Sequence, residues 1–315
     1  MYRYRLFGGI LLSDVELPEL ERSGPGEPRW ILESHSGPPP RPDGIQLGED
    51  SVTGEVRVRM CRQENGLRVR FDDTGSFDIS SDGARIRWYR PEAAKLADVR
   101  ADLTGRILAA ALHAAGTLSL HASAVVLGEN AIGLIGPKGH GKSTLSLALV
   151  AAGGALLTDD TFPVQVGDQA MGLPGLHAAR LWPDSASRVG LGEISSADPG
   201  EKFIFSRLPA DRISHEPAPL AALYLLSPMA AAEGEAAVRR TALPPIQCAL
   251  AMLGHAKLAP LLRTEADQLL SAAIGLTEKV PVYRLDVMRD LDRLSEVAST
   301  LWSWHSSPVG QASQT

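Results

Sequence analysis

The chain has 315 residues, 44% of them apolar and 22% charged, the balance of a globular protein with core enough for one or two domains. A formal charge of −6 argues against nucleic acid or an anionic membrane surface as the main partner. Two distant cysteines, Cys61 and Cys248, and eight histidines without metal-ligand spacing leave out a disulfide framework and a dedicated zinc site.

The opening stretch, MYRYRLFGGILLSDVELPEL, has a short apolar run broken by Asp14 and reads as a strand and turn rather than a signal peptide. No apolar run reaches membrane-spanning length, so a cytoplasmic protein is expected. The loop SGPPPRPDG (36–44) lacks the amide donors a ladder needs. Alternation at period two then predicts strands over VRVRM (56–60), GLRVRF (66–71), SFDIS (76–80) and ARIRWY (84–89), separated by Asn-Gly, Thr-Gly and Asp-Gly turns. Residues 1–97 are therefore expected to form a β-rich N-terminal domain built on an antiparallel sheet. Its strand edges could dock an extended peptide, or the domain could simply cover the sheet of its neighbour.

From residue 98 the period lengthens. DVRADLTGRILAAALHAAG is predicted helical, with Gly116 as its stop. LSLHASAVVL (118–127) and AIGLIG (131–136) follow as strands joined by a Gly-Glu-Asn turn. A helix is expected from Lys142 to Ala152, ended by Gly153-Gly154, and the strand ALLT (155–158) runs into Asp159-Asp160. Further on come strands LAALYLLS (220–227) and AAVRRTAL (236–243), a helical region from Pro244-Pro245 to Thr277, the strand VYRLDV (282–287) and a last helix. The fold class is α/β, with residues 98–307 as a second domain and 308–315 as a disordered tail.

Between the strand AIGLIG and the helix from Lys142 lies Gly136-Pro137-Lys138-Gly139-His140-Gly141-Lys142-Ser143, which satisfies G-x-x-x-x-G-K-[ST] in a strand–loop–helix setting and is followed by Thr144. Glycines let successive backbone N–H groups converge on phosphate oxygens, and the helix N-terminus adds partial positive charge there. Lys142 is placed to reach the β- and γ-phosphates of ATP or another nucleoside triphosphate, and Ser143 to ligate Mg2+. Lys138 and His140 occupy variable positions of such loops and offer backbone groups. Asp159 and Asp160 fall 17 and 18 residues past Lys142, at the end of the next strand, where ligands of a parallel sheet bind. One carboxylate of such a pair can serve the metal and the other can accept a proton. His121 stands in an apolar strand, which by itself suits a core residue.

LHASAV followed by GLIGPKGHGKSTLSLALVAAGGALLTDD resembles the catalytic domain of HPr kinase/phosphorylase, over roughly residues 118 to 163. That family has a histidine in the strand before the loop, the loop Lys-Ser and an Asp-Asp pair at this same spacing. The resemblance implies Asp160 as general base, Ser143 as a Mg2+ ligand and His121 as a third site residue. The family's Glu-Arg-Gly-Leu-Gly-like signature has no counterpart in QAMGLPGLHAARLWPDSASRVG, so the resemblance does not extend to HPr as substrate or to phosphorolysis. The wider layout, from YRLFGGILLSDVELPEL to RLWPDS and PVYRLDVMRDLDRL, is similar to a divergent branch found with lasso-peptide and other ribosomal-peptide biosynthesis. It implies an ATP- and Mg2+-dependent serine kinase acting on a precursor peptide or small protein. The family's ring-like oligomers make a homo-oligomer one expectation. Arg180, Arg188, Lys202 and Arg207 follow the aspartates, with Lys202 and Arg180 the preferred contacts for a γ-phosphate or substrate. Two rivals share the same loop: a kinase for a small-molecule hydroxyl, and a nucleotide-gated binding module without transfer.

Overall fold

Tyr2–Leu6 (β1) and Gly9–Ser13 (β2) fold back on each other through Phe7-Gly8, with φ of 49° and 72°, the left-handed pair that a two-residue hairpin turn requires. In the computed structural model, which describes residues 1–53, 55–177, 179–189, 191, 203–205, 208–230 and 234–305, this hairpin begins an eight-stranded sheet. Its other strands are Trp30–Ser36 (β3), Ile45–Thr53 (β4), Val56–Gln63 (β5), Gly66–Phe71 (β6), Gly75–Ser80 (β7) and Arg85–Arg90 (β8). The spatial order is β1-β2-β3-β8-β7-β6-β5-β4. Pairing is antiparallel except where β3 lies parallel to both β2 and β8. The four strands read from alternation are β5 to β8, and they meet as consecutive hairpins. Residues 37–44 leave the ladder as expected, whereas Ser36, the first residue of that loop, still pairs with Arg90 at the end of β3. Arg68 in β6, 1% exposed, holds that loop by donating to Arg41 O at 2.6 Å and Pro42 O at 3.1 Å while gripping Asp78 at 2.6 and 2.8 Å.

This sheet belongs to a unit that runs past the boundary at residue 97, taking in residues 1–121 together with 163–165 and 249–275. The reason lies in the helical stretch Leu96–Asp102 (α1), a π-helical turn over Leu103–Ile107, and Leu108–Ala114 (α2). Ala109, Ala110, Ala111 and Leu112 are fully buried, and Gly83 must be glycine because a Cβ there would stand 2.0 Å from Ala111 O. Small residues thus let α2 lie flat on the sheet.

Among the described residues, Asp102 is the one carboxylate buried in that layer, at 7% exposure, and accepts a hydrogen bond of 2.6 Å from Thr74 Oγ1. Burial raises its pKa from 3.8 to about 6, with Asp73 and Asp98 adding to the rise and Thr74 and Arg106 opposing it. The folded chain then binds the proton more tightly than the unfolded one, so stability falls as pH rises from about 4 to about 6. Asp102→Asn removes the charge and keeps an acceptor for Thr74. It is expected to stabilise the protein by about 1–3 kcal/mol at pH 7.5 and by nothing at pH 4, measured by urea unfolding at both values.

The stretch predicted as one strand over 118–127 is two. Leu118–Leu120 (β9) and Ala122–Leu127 (β10) are separated at His121, whose backbone N–H bonds His255 O at 2.7 Å instead of continuing a ladder. The second unit covers 122–162, 166–248 and 276–315. It holds Asn130–Ile135 (β11), Lys142–Ala151 (α3), Ala155–Thr158 (β12), and Phe162–Val166 (β13), whose residues 163–165 count with the first unit. After these come Ala170–Gly172 (β14), Ala179–Leu181 (β15), Pro183–Val189 (α4), Phe203–Phe205 (β16), Ala218–Met229 (β17) and Val238–Ala242 (β18). The last elements are Pro245–Gly254 (α5), Ala266–Thr277 (α6), Val282–Met288 (β19) and Leu294–His305 (α7), with α5 and α6 mostly in the first unit. The tail expected over 308–315 lies outside the described residues.

In the second unit the sheet runs β12-β10-β11-β17, then β19 and β18 beside the C-terminal half of β17. β10 is antiparallel to both β11 and β12, whereas β11, β17 and β19 are mutually parallel. A purely parallel neighbourhood around the loop is therefore corrected: β10 stands between β11 and β12. Leucines of α3, Leu145 and Leu149, pack with Val125, Leu134, Leu156, Tyr224 and Leu301 into one core on one face of this sheet. Helix α3 follows from its Leu- and Ala-rich composition and stops where Gly153, at φ 116°, lets Gly154 N–H close on Leu149 O at 2.9 Å.

Candidate active site

Strand directions bring three chain segments to one end of this sheet. β11 and β12 both run toward that end, and β10 starts from it, as the pairs Ala122↔Ile135 and Ala124↔Thr158 record. The loop 136–141 leaves β11 there, Asp159 leaves β12 there, and Ser123 stands at the start of β10. The inserted antiparallel strand thus leaves the expected convergence intact, because β12 keeps the direction of β11.

The loop has the conformation its glycines permit. Gly136, Gly139 and Gly141 have φ of 149°, 87° and 90°, and Gly141 is the left-handed residue from which α3 departs. His140 is half-buried, with Nδ1 3.2 Å from Leu226 O of β17. Pro137, Lys138 and Gly139 are exposed, whereas Lys142 is buried and its Nζ donates to Gly136 O at 2.7 Å and Pro137 O at 3.3 Å. Ser143 and Thr144 open the helix, both partly exposed.

Ser143 Oγ lies 2.9 and 3.1 Å from the two carboxylate oxygens of Asp159. On the other side the Ser123 hydroxyl, itself fully buried, donates to Asp159 Oδ1 in a close hydrogen bond. Asp159 is 5% exposed. Burial pushes its pKa up. The hydroxyls of Ser123 and Ser143 pull it down, the Asp160 charge adds to the rise, and the Asp160 backbone N–H lowers it again. Hydroxyl and carboxylate are hard oxygen donors of the kind Mg2+ takes.

Asp160 turns the chain sharply. Its φ is 69°, and Thr161 N–H bonds back to Asp159 O at 2.9 Å, an i→i+2 closure around a left-handed residue that is the mark of a strained γ-turn. The turn is pinned on both sides, by Asp159 N–H on Leu176 O at 2.9 Å and by Thr158 Oγ1 on Thr161 O at 2.7 Å. Among the described residues only Phe7 and Asp160 are non-glycines at positive φ. Strain of this kind is on the order of 1–3 kcal/mol and persists where surrounding structure imposes it, commonly at functional sites.

The loop residues 136–144 and both aspartates are therefore gathered at one sheet end. His121 immediately precedes β10, half-buried, and is counted with the other unit. Arg180 lies in β15, paired with Ile204, and its side chain is outside the described residues, as are Lys202 and Arg207 entirely. Arg188 forms an ion pair with Asp292 in the same unit. Ser123 was not singled out from the sequence. A serine among Ala and Val in LHASAV signals nothing until its partner, 36 residues later, is in place.

No protein-family model and no curated protein matches the chain. Among solved structures, the Hpr(Ser) kinase/phosphatase from Coxiella burnetii aligns with 59% of this chain and 95% of its own, at 15% identity and a TM-score of 0.30. So loose a superposition carries no inference, and the site is read from its own residues. No helix among the described residues is long and apolar enough to cross a membrane.

Proposed function

We propose that the chain is an ATP- and Mg2+-dependent kinase that transfers the γ-phosphoryl group to a serine hydroxyl of a peptide or small protein, with a ribosomally made precursor peptide as the favoured class. The observation that carries this reading is the strained turn at Asp160, directly after a buried carboxylate that already engages the loop serine. A bare nucleotide holder has no use for a second carboxylate held at φ 69°.

The residues present fit the metal. Ser143 and Asp159 would hold Mg2+, and a cation there would offset the burial of the Asp159 charge. When bound, the ion neutralises charge on the β- and γ-phosphates. The loop N–H groups bind phosphate oxygens, and Lys142 exchanges its loop carbonyls for them. Asp160 accepts the proton of the serine hydroxyl as that oxygen bonds to the γ-phosphorus. The bond from phosphorus to the β,γ-bridging oxygen breaks, and ADP leaves with its electron pair. Position and charge supply the rate, so no raised pKa is asked of Asp160. For His121 the proposal keeps the role implied by the resemblance, that of orienting the base or the γ-phosphoryl group.

Incubation with ATP, Mg2+ and serine-containing peptides should yield products heavier by roughly 80 Da, one phosphoryl group, in mass spectra. ATP binding with no transfer to any peptide would leave the binding-module reading; transfer to small alcohols alone would leave the metabolite-kinase reading.

A further inference from the structure

Among the described residues, the chain covers parts of several of its own sheet edges. Along β1, Arg5 N–H bonds Glu21 O at 2.9 Å and Ser23 N–H bonds Arg3 O at 3.0 Å. Along β9, Lys257 N–H bonds Ser119 O at 2.8 Å, and along β12, Ser214 N–H bonds Leu156 O at 2.9 Å. β4 is pressed by the turn 259–261, close enough that a Cβ on Gly48 would stand 2.5 Å from Pro260 O.

β18 differs. Its inner side is zipped to β19, and the flanking bonds Met288 N–H to Ala237 O at 2.9 Å and Leu243 N–H to Val282 O at 3.1 Å fix the phase of that ladder. Residues 237, 239, 241 and 243 face β19, so the peptide groups of Val238, Arg240 and Ala242 face outward. No described segment pairs with them.

Two arginines on this strand point to opposite faces of the sheet, as neighbours in a strand must. Arg239, with 71% of its side chain exposed, is 3.6 Å from the buried carboxylate of Asp286. Arg240 lies over Trp304 at 4.4 Å and Tyr283 at 5.2 Å, with Nη1 3.4 Å from Tyr224 Oη. Charge alone discourages self-pairing of an edge. Bracing both guanidinium groups goes further, because it fixes where counter-charges must stand. The strand is also level with the loop: Arg240 pairs with Leu285, Leu285 with Leu226, and Leu226 O meets His140.

We propose that the outer edge of β18 docks the acceptor peptide as an added strand, and that the docked segment carries two adjacent acidic residues, one for Arg239 and one for Arg240. The inference rests on the kinase reading above. Main-chain bonds supply affinity and the two charge pairs set the register. At about 4.8 Å per strand, the added strand lies about 19 Å from β11, so the acceptor serine is expected about six extended residues from the acidic pair.

The test is fluorescence anisotropy without nucleotide, using fluorescein-labelled decapeptides with a central Asp-Glu or Lys-Lys. The acidic peptide should bind at least about tenfold tighter. Ala242→Pro removes one outward N–H at a position where an edge strand tolerates proline. It and Arg239→Ala should each weaken acidic-peptide binding about tenfold, with ATP affinity and circular dichroism unchanged. Wild-type binding by both variants, or equal competition from a heparin oligosaccharide that has no peptide backbone, overturns the docking. Because no nucleotide is present, peptide binding without transfer sinks the kinase reading alone, and transfer indifferent to both variants sinks the docking alone.

Discussion

Asp160→Asn is expected to lower phosphoryl transfer by about 10²–10⁴-fold, the usual contribution of a positioned general base, while ATP still binds. The substitution is unusually clean at this position. Asn has the shape of Asp and shares its tolerance of left-handed backbone, so the turn at φ 69° and the Thr161–Asp159 closure survive. Its electrostatic effect on Asp159 runs the wrong way to mimic the loss. The Asp160 charge raises the pKa of Asp159, and removing it leaves Asp159 more readily ionised and a better metal ligand. Lost turnover therefore reports on the missing base and not on missing Mg2+. Asp160→Ala should lose as much activity and, in addition, about 1 kcal/mol or more of stability, since alanine resists that φ. Single-turnover transfer and calorimetric ATP titration separate the two quantities; transfer at the wild-type rate would remove Asp160 as the base.

Local signals were readable and relational ones were not. The loop announces itself because its glycines, Lys142 and Ser143 are contiguous and sit between a strand and a helix whose patterns are equally local. Strands β5 to β8 were legible for the same reason: each carries its own alternation and is bounded by turn residues. β3 and β4 went unread because they flank a Pro- and Gly-rich loop, and β3 takes its place by pairing with β8, far along the chain. The break at His121 was hidden because LSLHASAVVL is uniformly apolar, and what ends β9 is a backbone bond to His255. Ser123 belongs to the same class. Its hydroxyl matters only because β10 runs against both neighbours and so begins where the loop begins. The acidic doublet was legible as chemistry, but the strain at Asp160 was not, since nothing in Thr-Asp-Asp-Thr specifies a positive φ.

Asp159→Asn is expected to move stability and activity in opposite directions. Burial raises the pKa of Asp159 in the folded chain above its unfolded value of 3.8, so across the interval between the two the folded state holds more protons and loses stability as pH rises. At neutral pH, above the unfolded value, the metal-free protein bears that cost. Asparagine removes it while still accepting from Ser123 and Ser143, so the metal-free variant should melt about 2–4 °C above wild type at pH 7.5, the shift that ~1 kcal/mol produces in a domain of 150–250 residues. The gain should vanish near pH 4. Transfer, by contrast, should fall at least about 10²-fold, and ATP affinity should cease to respond to Mg2+. Ser143→Ala provides the contrast. It also removes a metal ligand, but it takes from the buried Asp159 carboxyl a hydroxyl donor that holds its pKa down, so Asp159 is pushed further up and the metal-free protein is destabilised at neutral pH. Two substitutions that both abolish Mg2+ dependence, one raising the melting temperature and one lowering it, are what a buried carboxylate waiting for a cation predicts. A melting temperature lowered by Asp159→Asn at pH 7.5 would show instead that the carboxylate is there to hold the fold.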